Sequence, residues 1–385
     1  MGDAQRLSPE EQIRFARDAF ENADDFDVAV EEEFALLDPD TLELTNRFED
    51  LKDAAAGLEW DEHLVGELIA SEAEVKTGRC DSFVEAAERM GERRAQLGAL
   101  ADDLGIALAC TGTHPWSSWK DQRIIDTPHY RRNDEILRYV VWRNNSFGIH
   151  VHIAVRGADR AVRVCDAFRN VLPELLALSA SSPFIEDVVT GLHSARTEIF
   201  TRMFPRCGIP DVYGSWDEFE RYVRFLYSSG SIDEHTQMWW SVRPHLAFPT
   251  VEVRICDAQP DLRDAQSLAA LAYSIGARFV RALDEGEPLP CLPRRLIEEN
   301  LWRAIRYGLS GELIDFDRGD IVPARARLER LIEWVQPVAE ELGAAAYLGV
   351  PEANSAERQY ARLDELGSHR EVFAELVARP GERVG

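Results

Sequence analysis

The sequence predicts an α+β fold built mainly as a single domain. Four short apolar stretches carry charged or imidazole side chains at alternate positions, a period that is typical of strands with one polar face. Longer segments between and after them have apolar residues at helical spacing. The 385 residues contain no internal repeat, low-complexity tract or Gly/Ser linker. We therefore expect one main domain over residues 26–380, preceded by an N-terminal helical extension over residues 1–25.

The composition excludes several classes of partner and site. A net charge of −26 opposes binding to nucleic acid and to anionic membrane surfaces. No apolar run approaches the ~20 residues that span a bilayer, and the N-terminus, MGDAQRLSPEEQ, lacks the layout of a signal peptide. The six cysteines are scattered without a CxxC pair. We expect a cytoplasmic protein with reduced thiols.

Lysine is rare in this chain. It occurs only as Lys52, Lys76 and Lys120, and none of the three follows a glycine. The chain therefore has no phosphate-binding loop of the GxxxxGK type. If a nucleotide binds here, we expect arginines and metal ions to hold it.

The first elements are a helix and an acidic strand. Ser8-Pro9-Glu10-Glu11 has the residue order of a helix start, with Ser as the cap. Val28–Leu37 then reads as a buried strand in which Glu31 and Glu33 share one face. Glu32 points to the opposite face, and the sequence assigns it no role. A salt-bridged pair on a solvated face is the alternative for any one strand of this kind.

The second acidic stretch is Glu67–Thr77. Glu72 and Glu74 share a parity there, and Glu67 lies near the start of the stretch. Apolar residues at helical spacing then predict a helix over 81–104.

The third stretch, Phe147–Val155, places two imidazoles on one strand face. A single buried histidine is usually a satisfied core residue. Two of them, His150 and His152, opposite acidic strands are better explained as metal or phosphate contacts. A helix is predicted over 158–175.

Arginines accompany the remaining candidates. Thr190–Phe200 contains Arg196, which could cradle an anion or could belong to an ordinary helix terminus. In the fourth stretch, Trp239–Pro260, Glu252 and Arg254 share one strand face. That arrangement suits a metal ligand beside a phosphate clamp, although the two could simply pair with each other. The rest of the chain reads as helices over 262–283, 296–309, 323–342 and 356–377.

These strands together indicate a metal site for phosphoryl chemistry. Carboxylates with an occasional histidine suit Mg²⁺ or Mn²⁺, and the number of acids predicts more than one ion. Several metals surrounded by arginines are typical of phosphoryl transfer from a nucleotide.

Eight motifs resemble those of the carboxylate–amine ligases of the glutamate–cysteine ligase type 2 family. They are VEEEF near the start, E-x6-E followed by T-G-x-C (from Glu67), GTHPW (from Gly112), G-I-H-V-H (from Gly148), LLALSASSPF (from Leu175), WW-x-VRP (from Trp239), TVEVR-x-x-D (from Thr250) and EN-x-W-R-A-x-R-Y-G (from Glu299). The match runs in order from about Val28 to Gly308. It implies a glutamine-synthetase-like fold, in which a curved antiparallel sheet forms a funnel with helices on its outer side.

The resemblance also implies the reaction. ATP would phosphorylate the side-chain carboxylate of glutamate, or of a related acid, and an amine such as cysteine would displace phosphate from the acyl phosphate. Glu31, Glu33, Glu67, Glu74, His150 and Glu252 are then expected as metal ligands, with Glu72 as a lesser candidate. Glu252 and Arg254 are expected to be catalytic. Arg196, Trp240, Arg243 and His152 are expected to contact substrate, and Arg303 and Arg306 the ATP.

Some alternatives stay open at this stage. Ser241 stands where an acid is common in the family, so a different amine could replace cysteine. The His150-x-His152 pair also allows a metal-dependent amidohydrolase. In that fold, however, the pair lies near the start of alternating strand–helix units, whereas here it lies in the middle of the chain. A catalytically silent binding protein and a homodimer are further possibilities that the sequence leaves open.

Overall fold

The computed structural model describes residues 8–385. The strands are β1 (Val28–Leu37), β2 (Leu64–Val65), β3 (Glu72–Lys76), β4 (Ala107–Ala109), β5 (Ile149–Ala154), β6 (Phe184–Ile185), β7 (Val188–Val189), β8 (Val242–Pro244), β9 (Thr250–Val253), β10 (Glu312–Asp315) and β11 (Asp320–Pro323). The helices are α1 (Pro9–Glu21), α2 (Phe48–Ala55), α3 (Phe83–Leu104), α4 (Pro128–Leu137), α5 (Tyr139–Trp142), α6 (Ala158–Phe168), α7 (Leu172–Ser179), α8 (Ala195–Met203), α9 (Trp216–Ser228), α10 (Leu262–Asp284), α11 (Arg294–Tyr307), α12 (Ala324–Glu341), α13 (Ser355–Leu366) and α14 (His369–Ala374).

A seven-stranded antiparallel sheet is the centre of the fold. Its strands lie in the order β2-β3-β1-β5-β9-β8, and β4 pairs with the far end of β1. Strand β1 is therefore central, because β3 and β5 flank it over most of its length. Two small hairpins, β6–β7 and β10–β11, lie outside this sheet.

The register of the sheet separates a polar face from an apolar one. Glu31 pairs with Lys76 on β3 and with His150 on β5, and Glu252 on β9 pairs with His152. Since directly paired residues point to the same face, the acids and histidines of four strands converge there. We call this surface the polar face of the sheet.

Helices cover the opposite face. The alternate residues of β1, β5 and β9, such as Val30, Val151 and Val253, are buried in one large apolar cluster. Helices α3, α6 and α10 pack against these strands, and α10 buries residues along its whole length. This layer explains how one face of the sheet can be left to polar groups.

Glu32 has a partner on this helical face. Arg94 of α3 donates to its carboxylate over 2.7 Å, and both side chains are almost fully buried. Arg94 also donates to the carbonyls of Gln259 and Pro260. The charged pair is therefore well satisfied by hydrogen bonds, which burial requires.

Several predicted elements differ in their bounds. The helix predicted over 158–175 is divided into α6 and α7 by a short 3-10 turn, with Pro173 in the first turn of α7. The helix predicted over 356–377 divides into α13 and α14 at Gly367, which has a left-handed φ of 72°. Strand β3 begins only at Glu72, so Glu67 lies in the preceding loop. The long fourth stretch is a hairpin of β8 and β9.

The N-terminal helix is present as predicted, with Ser8 as its cap and Glu11 completing the capping box. It packs on α6 and α9. Residues 1–7, which belong to the predicted extension over 1–25, lie outside the described residues. The division into an extension and a main domain therefore stays a prediction. Across residues 8–385, no helix combines the length and the apolar character needed to cross a membrane.

Candidate active site

Glu31 lies at the centre of the polar face. One of its oxygens, Oε2, lies 3.3 Å from Nδ1 of His150 and 3.6 Å from Nε2 of His152. The other, Oε1, lies 2.8 Å from Nζ of Lys76. Burial alone would raise the pKa of Glu31, but the histidines and Lys76 hold that pKa well below its ordinary value. Glu31 is therefore a carboxylate anion shared between two sets of partners.

Lys76 is a site residue that the sequence analysis overlooked. Besides Glu31, its ammonium lies 2.8 Å from Oε1 of Glu74. Burial would lower the pKa of Lys76, but Glu74 and Glu31 outweigh it and raise that pKa. The signal was available in the sequence, because Lys76 follows Glu74 by two residues and so shares its strand face.

Glu252 is held between two guanidinium groups. Arg243 of β8 donates through Nε over 2.6 Å to one oxygen, and Arg254 donates to the other. Burial would raise the pKa of Glu252, but the two arginines keep it well below its ordinary value. The Glu252–Arg254 pair that the sequence allowed is therefore present, and Arg243 belongs to it as well.

Glu33 is fixed by the backbone of the neighbouring strand. The amide of Gly148, just before β5, donates to Oε2 of Glu33, while Oε1 lies 3.6 Å from Nε2 of His150. A side chain at Gly148 would collide with Arg196, because an added Cβ would lie 2.3 Å from a guanidinium nitrogen. Glycine is therefore required here for a close approach between the strand and Arg196.

The acids at the β3 end of the polar face, Glu67, Glu72 and Glu74, all have a raised pKa. Burial, and next the charge of Glu33, raise the pKa of Glu67 to about 7 and that of Glu72 well above its ordinary value. Burial and the charge of Glu31 do the same to the pKa of Glu74. Oε2 of Glu72 is buried, and no residue in the described part of the chain offers it a hydrogen bond. Such a surplus of buried negative charge calls for a positive ligand.

Two cavities open at opposite ends of the polar face. The first, of about 80 Å³, is lined on one side by Glu33, Glu67, Glu72, His150, Arg196 and Arg254, and on the other by aromatic side chains that include Tyr130 and Trp239. We call it the acidic cavity. The second cavity, of about 250 Å³, is lined by the polar residues Asp27, Glu31, Lys76, Arg79, His152 and Thr250 and has Ala29, Ala154, Phe248 and Pro249 as apolar walls.

Arg196 reaches the acidic cavity from the first turn of α8. Its Nη1 donates to the carbonyl of Ile255 over 3.2 Å and lies 3.6 Å from the buried carboxylate of Asp257. Asp257 in turn accepts hydrogen bonds from the hydroxyls of Ser182 and Ser194. The serine-rich motif and the aspartate of TVEVR-x-x-D therefore form the support on which Arg196 rests.

The C-terminal end of α11 holds the loop that precedes α8 and contains His193 and Ser194. The carbonyl of Ile305 accepts from the amides of His193 and Ser194, and Arg306 donates to the carbonyl of Gly191. Arg303 donates to the carbonyl of Glu312. Within residues 8–385, neither arginine lines the two cavities described above. The structure gives this helix a supporting position, and contact of Arg303 and Arg306 with ATP stays a prediction.

The structure places Trp240 away from both cavities. Its ring stacks on Tyr222 at 5.9 Å and packs beside Tyr213 in the large apolar cluster. The neighbouring Trp239 lines the acidic cavity instead. The two rings separate in this way because adjacent residues of an extended segment point in opposite directions. Contact of Trp240 with substrate stays a prediction.

The GTHPW loop has a structural role. His114 is buried, its ring accepts hydrogen bonds from the amides of Trp116 and Ser117, and its Nε2 lies 2.8 Å from the carbonyl of Leu42. Trp116 packs edge-on against Phe373 of α14. These contacts fix the loop beneath the C-terminal helices.

The donor set fits divalent metal ions. Among residues 8–385, two groups bring three potential ligand atoms within 4.8 Å of one another, and they share Glu31. One group adds Glu74 and His150, and the other adds His152 and Glu252. Within residues 8–385, Nε2 of His152 is buried without a hydrogen-bond partner, which leaves this nitrogen available to a metal ion. Carboxylates with histidine are the ligands that Mg²⁺ and Mn²⁺ accept.

Comparison with known proteins decides the family. The profile of glutamate–cysteine ligase family 2 matches residues 28–363. The chain belongs to glutamate–cysteine ligase family 2. It is 39% identical over 355 residues to a protein of Solibacter usitatus that is provisionally named glutamate–cysteine ligase 2, covering 91% of this chain and 92% of that one. A relative from Rubrobacter xylanophilus, provisionally named glutamate–cysteine ligase 2-3, is 41% identical over 357 residues, covering 91% of this chain and 96% of that one.

Solved structures confirm the fold predicted for a member of this family. The glutamate–cysteine ligase of Francisella tularensis, determined in complex with AMP, superposes with a TM-score of 0.66 at 15% identity and covers 91% of this chain and 87% of that chain. The bifunctional glutathione synthetase of Pasteurella multocida superposes with a TM-score of 0.65 at 13% identity, covering 95% of this chain and 53% of that chain. The predicted family, the α+β fold and the enzyme class, a carbon–nitrogen ligase, are therefore confirmed.

Proposed function

We propose that this protein is an ATP-dependent carboxylate–amine ligase that joins glutamate, or a related acid, to an amine through an acyl phosphate. The observation that carries the proposal is the pair of cavities at the two ends of one row of carboxylates and histidines. Such a row can bring two anions together, because bound divalent ions and arginines offset their charges. Glu31, Glu33, Glu74, His150, His152 and Glu252 would hold those ions, which would neutralise the phosphates and polarise the transferred group.

The second cavity suits the nucleotide. Ala29, Ala154, Phe248 and Pro249 offer apolar walls to a flat base, and Lys76 lies at the polar side where phosphates would meet the carboxylate row. An AMP complex is named for the structural neighbour from Francisella tularensis, which supports a nucleotide in this fold. Because ATP is an intracellular substrate, we also propose a cytoplasmic location.

The acidic cavity suits the carboxylate and the amine. Arg254 lines it next to Glu252 and His150, and its Nε has no hydrogen-bond partner among the described residues. That position suits the phosphoryl group as it passes to the acid. Arg196 would bind the carboxylate that is not phosphorylated. The amine nitrogen then bonds to the acyl carbon, phosphate leaves, and the ammonium proton is released to a base.

Aromatic side chains around the acidic cavity would limit hydrolysis of the acyl phosphate. Tyr130 and Trp239 belong to its lining, together with residues of α4 and α8. Water at the acyl carbon would compete with the amine, so a covered site favours ligation. The identity of the amine stays open between cysteine and another acceptor. Ser241 stands where the family commonly has an acid, so the resemblance does not identify the amine.

ADP release tests the proposal. We expect ADP only when glutamate or a related acid, an amine and Mg²⁺ or Mn²⁺ are all present, and a screen of amines with each component omitted in turn measures this. A new amide detected by mass spectrometry should form in equal amount with ADP. Amide hydrolysis without ATP would instead favour the amidohydrolase, and lack of turnover with every acid and amine would favour a binding protein.

A further inference from the structure

Lys76 occupies an unusual position in the candidate metal site. It ends β3 directly opposite Glu31, and its ammonium lies 2.8 Å from an oxygen of Glu31 and 2.8 Å from an oxygen of Glu74. These two carboxylates supply two of the three residues in one of the two ligand groups, the one completed by His150. An ammonium held by both carboxylates is a protein cation placed where a divalent cation would bind.

The other ligand group is arranged differently. Its carboxylates are Glu31 and Glu252, and the arginines beside it hold Glu252 alone. The oxygen of Glu31 that faces the histidines, Oε2, is not the oxygen that faces Lys76. A metal ion in this group therefore does not have to displace Lys76.

The ammonium of Lys76 can also reach the second cavity. Its side chain is 34% exposed and lines the second cavity, next to the apolar walls that suit a nucleotide base. Rotation of a flexible four-carbon chain would carry the ammonium from the carboxylates toward an anion in that cavity. A polyphosphate there would attract the ammonium that an entering metal ion repels.

We propose that Lys76 is a built-in counter-ion of the Glu31–Glu74–His150 group, and that a polyphosphate in the second cavity draws it away so that a divalent ion can bind. The two ligand groups would then fill differently, one in the free protein and the other together with the nucleotide. The inference rests on the proposed function only for the identity of the polyphosphate. By reciprocity, metal binding at this group must strengthen nucleotide binding to the same degree.

Mn²⁺ titration followed by electron paramagnetic resonance, without nucleotide, tests the competition. Wild-type protein should bind one Mn²⁺ clearly more tightly than the second. Lys76→Met keeps an unbranched side chain that is one atom shorter and removes its charge, so it should tighten the weaker Mn²⁺ site by about tenfold or more, within the usual range of coupling between sites. Addition of a non-hydrolysable ATP analogue should tighten that site in wild type and change it little in the variant.

Lys120→Met is the matched control, because Lys120 is exposed and lies over the ring of Trp119. It removes the same charge from the protein and should leave both Mn²⁺ affinities unchanged. Equal Mn²⁺ binding by wild type and Lys76→Met, or weaker binding by the variant, would overturn the inference. These titrations measure Mn²⁺ binding and need no turnover, so their outcome is independent of the ADP-release test.

A second measurement uses the wild-type protein and guards against a variant that fails to fold. Reductive methylation with ¹³C-formaldehyde labels the three lysines and the terminal α-amine, which is recognised by its lower pKa. Loss of one signal each in Lys52→Met and Lys120→Met then assigns the remaining lysine signal to Lys76. Mg²⁺ together with the ATP analogue should shift the Lys76 signal, whereas Mg²⁺ alone should shift it far less. A Lys76 signal that does not respond to the nucleotide would refute its movement.

Discussion

Arg254→Lys separates a catalytic charge from a structural ion pair. Lysine keeps the positive charge but lacks the planar fork that can meet two phosphoryl oxygens. Loss of one preorganised contact to a developing anion typically costs ~10²–10³ in rate, or roughly 2.7–4 kcal/mol. We expect kcat to fall by about that factor. Folding should be retained, because Arg243 still donates to Glu252 over 2.6 Å and the carboxylate keeps a partner.

Arg94→Lys is a control from the same sheet. Arg94 is also a buried arginine paired with a glutamate of β1, but it lies on the helical face, away from both cavities. It donates to Glu32 and to the backbone oxygens of Gln259, Pro260 and Gly385, and lysine cannot replace all of these hydrogen bonds. We expect the melting temperature of the Arg94→Lys variant to fall, while its kcat per folded molecule stays close to that of wild type.

The assay measures ADP release at saturating substrates and melting temperature on the same preparations. Glu252→Gln provides a third comparison and should raise the Mg²⁺ concentration needed for half-maximal activity, since an amide is a weaker ligand than a carboxylate. If Arg254→Lys instead behaves like Arg94→Lys, with a lower melting temperature and nearly full kcat per folded molecule, Arg254 is a structural partner of Glu252 and the catalytic assignment is wrong.

Three further outcomes follow from the site. Because the pKa of Glu67 is raised to about 7, the folded protein holds a proton that the unfolded chain releases, so the stabilisation that Glu67 contributes without metal is lost as the pH rises from about 4.5 to 7; the melting temperature of wild type relative to that of Glu67→Gln should therefore fall over this range in differential scanning fluorimetry. Gly148→Ala should raise the KM for the carboxylate substrate, since its Cβ would lie 2.3 Å from the guanidinium of Arg196; an unchanged KM would argue against Arg196 as a substrate contact. Trp239→Phe should alter KM with little loss of stability, whereas Trp240→Phe should mainly lower the melting temperature, and the reverse pattern would contradict the placement of these two rings.

The sequence by itself determined which side chains share a strand face. A period of two is local, so Glu31 with Glu33 and His150 with His152 could be grouped without knowing any neighbour. The first strand was predicted with the bounds that the structure shows, Val28–Leu37. The family was also readable, because its motifs occur in order along one chain.

The pairing of those faces was decided only by the tertiary structure. Strand order and register depend on hydrogen bonds between distant segments, and these set Glu31 opposite Lys76, 45 residues later, and opposite His150, 119 residues later. Glu32 could not be explained from its own strand, because its partner Arg94 comes from a helix 62 residues later. The local period of two places Lys76 on the face of Glu74, but it could not place Lys76 opposite Glu31. That contact depends on the register between β3 and β1.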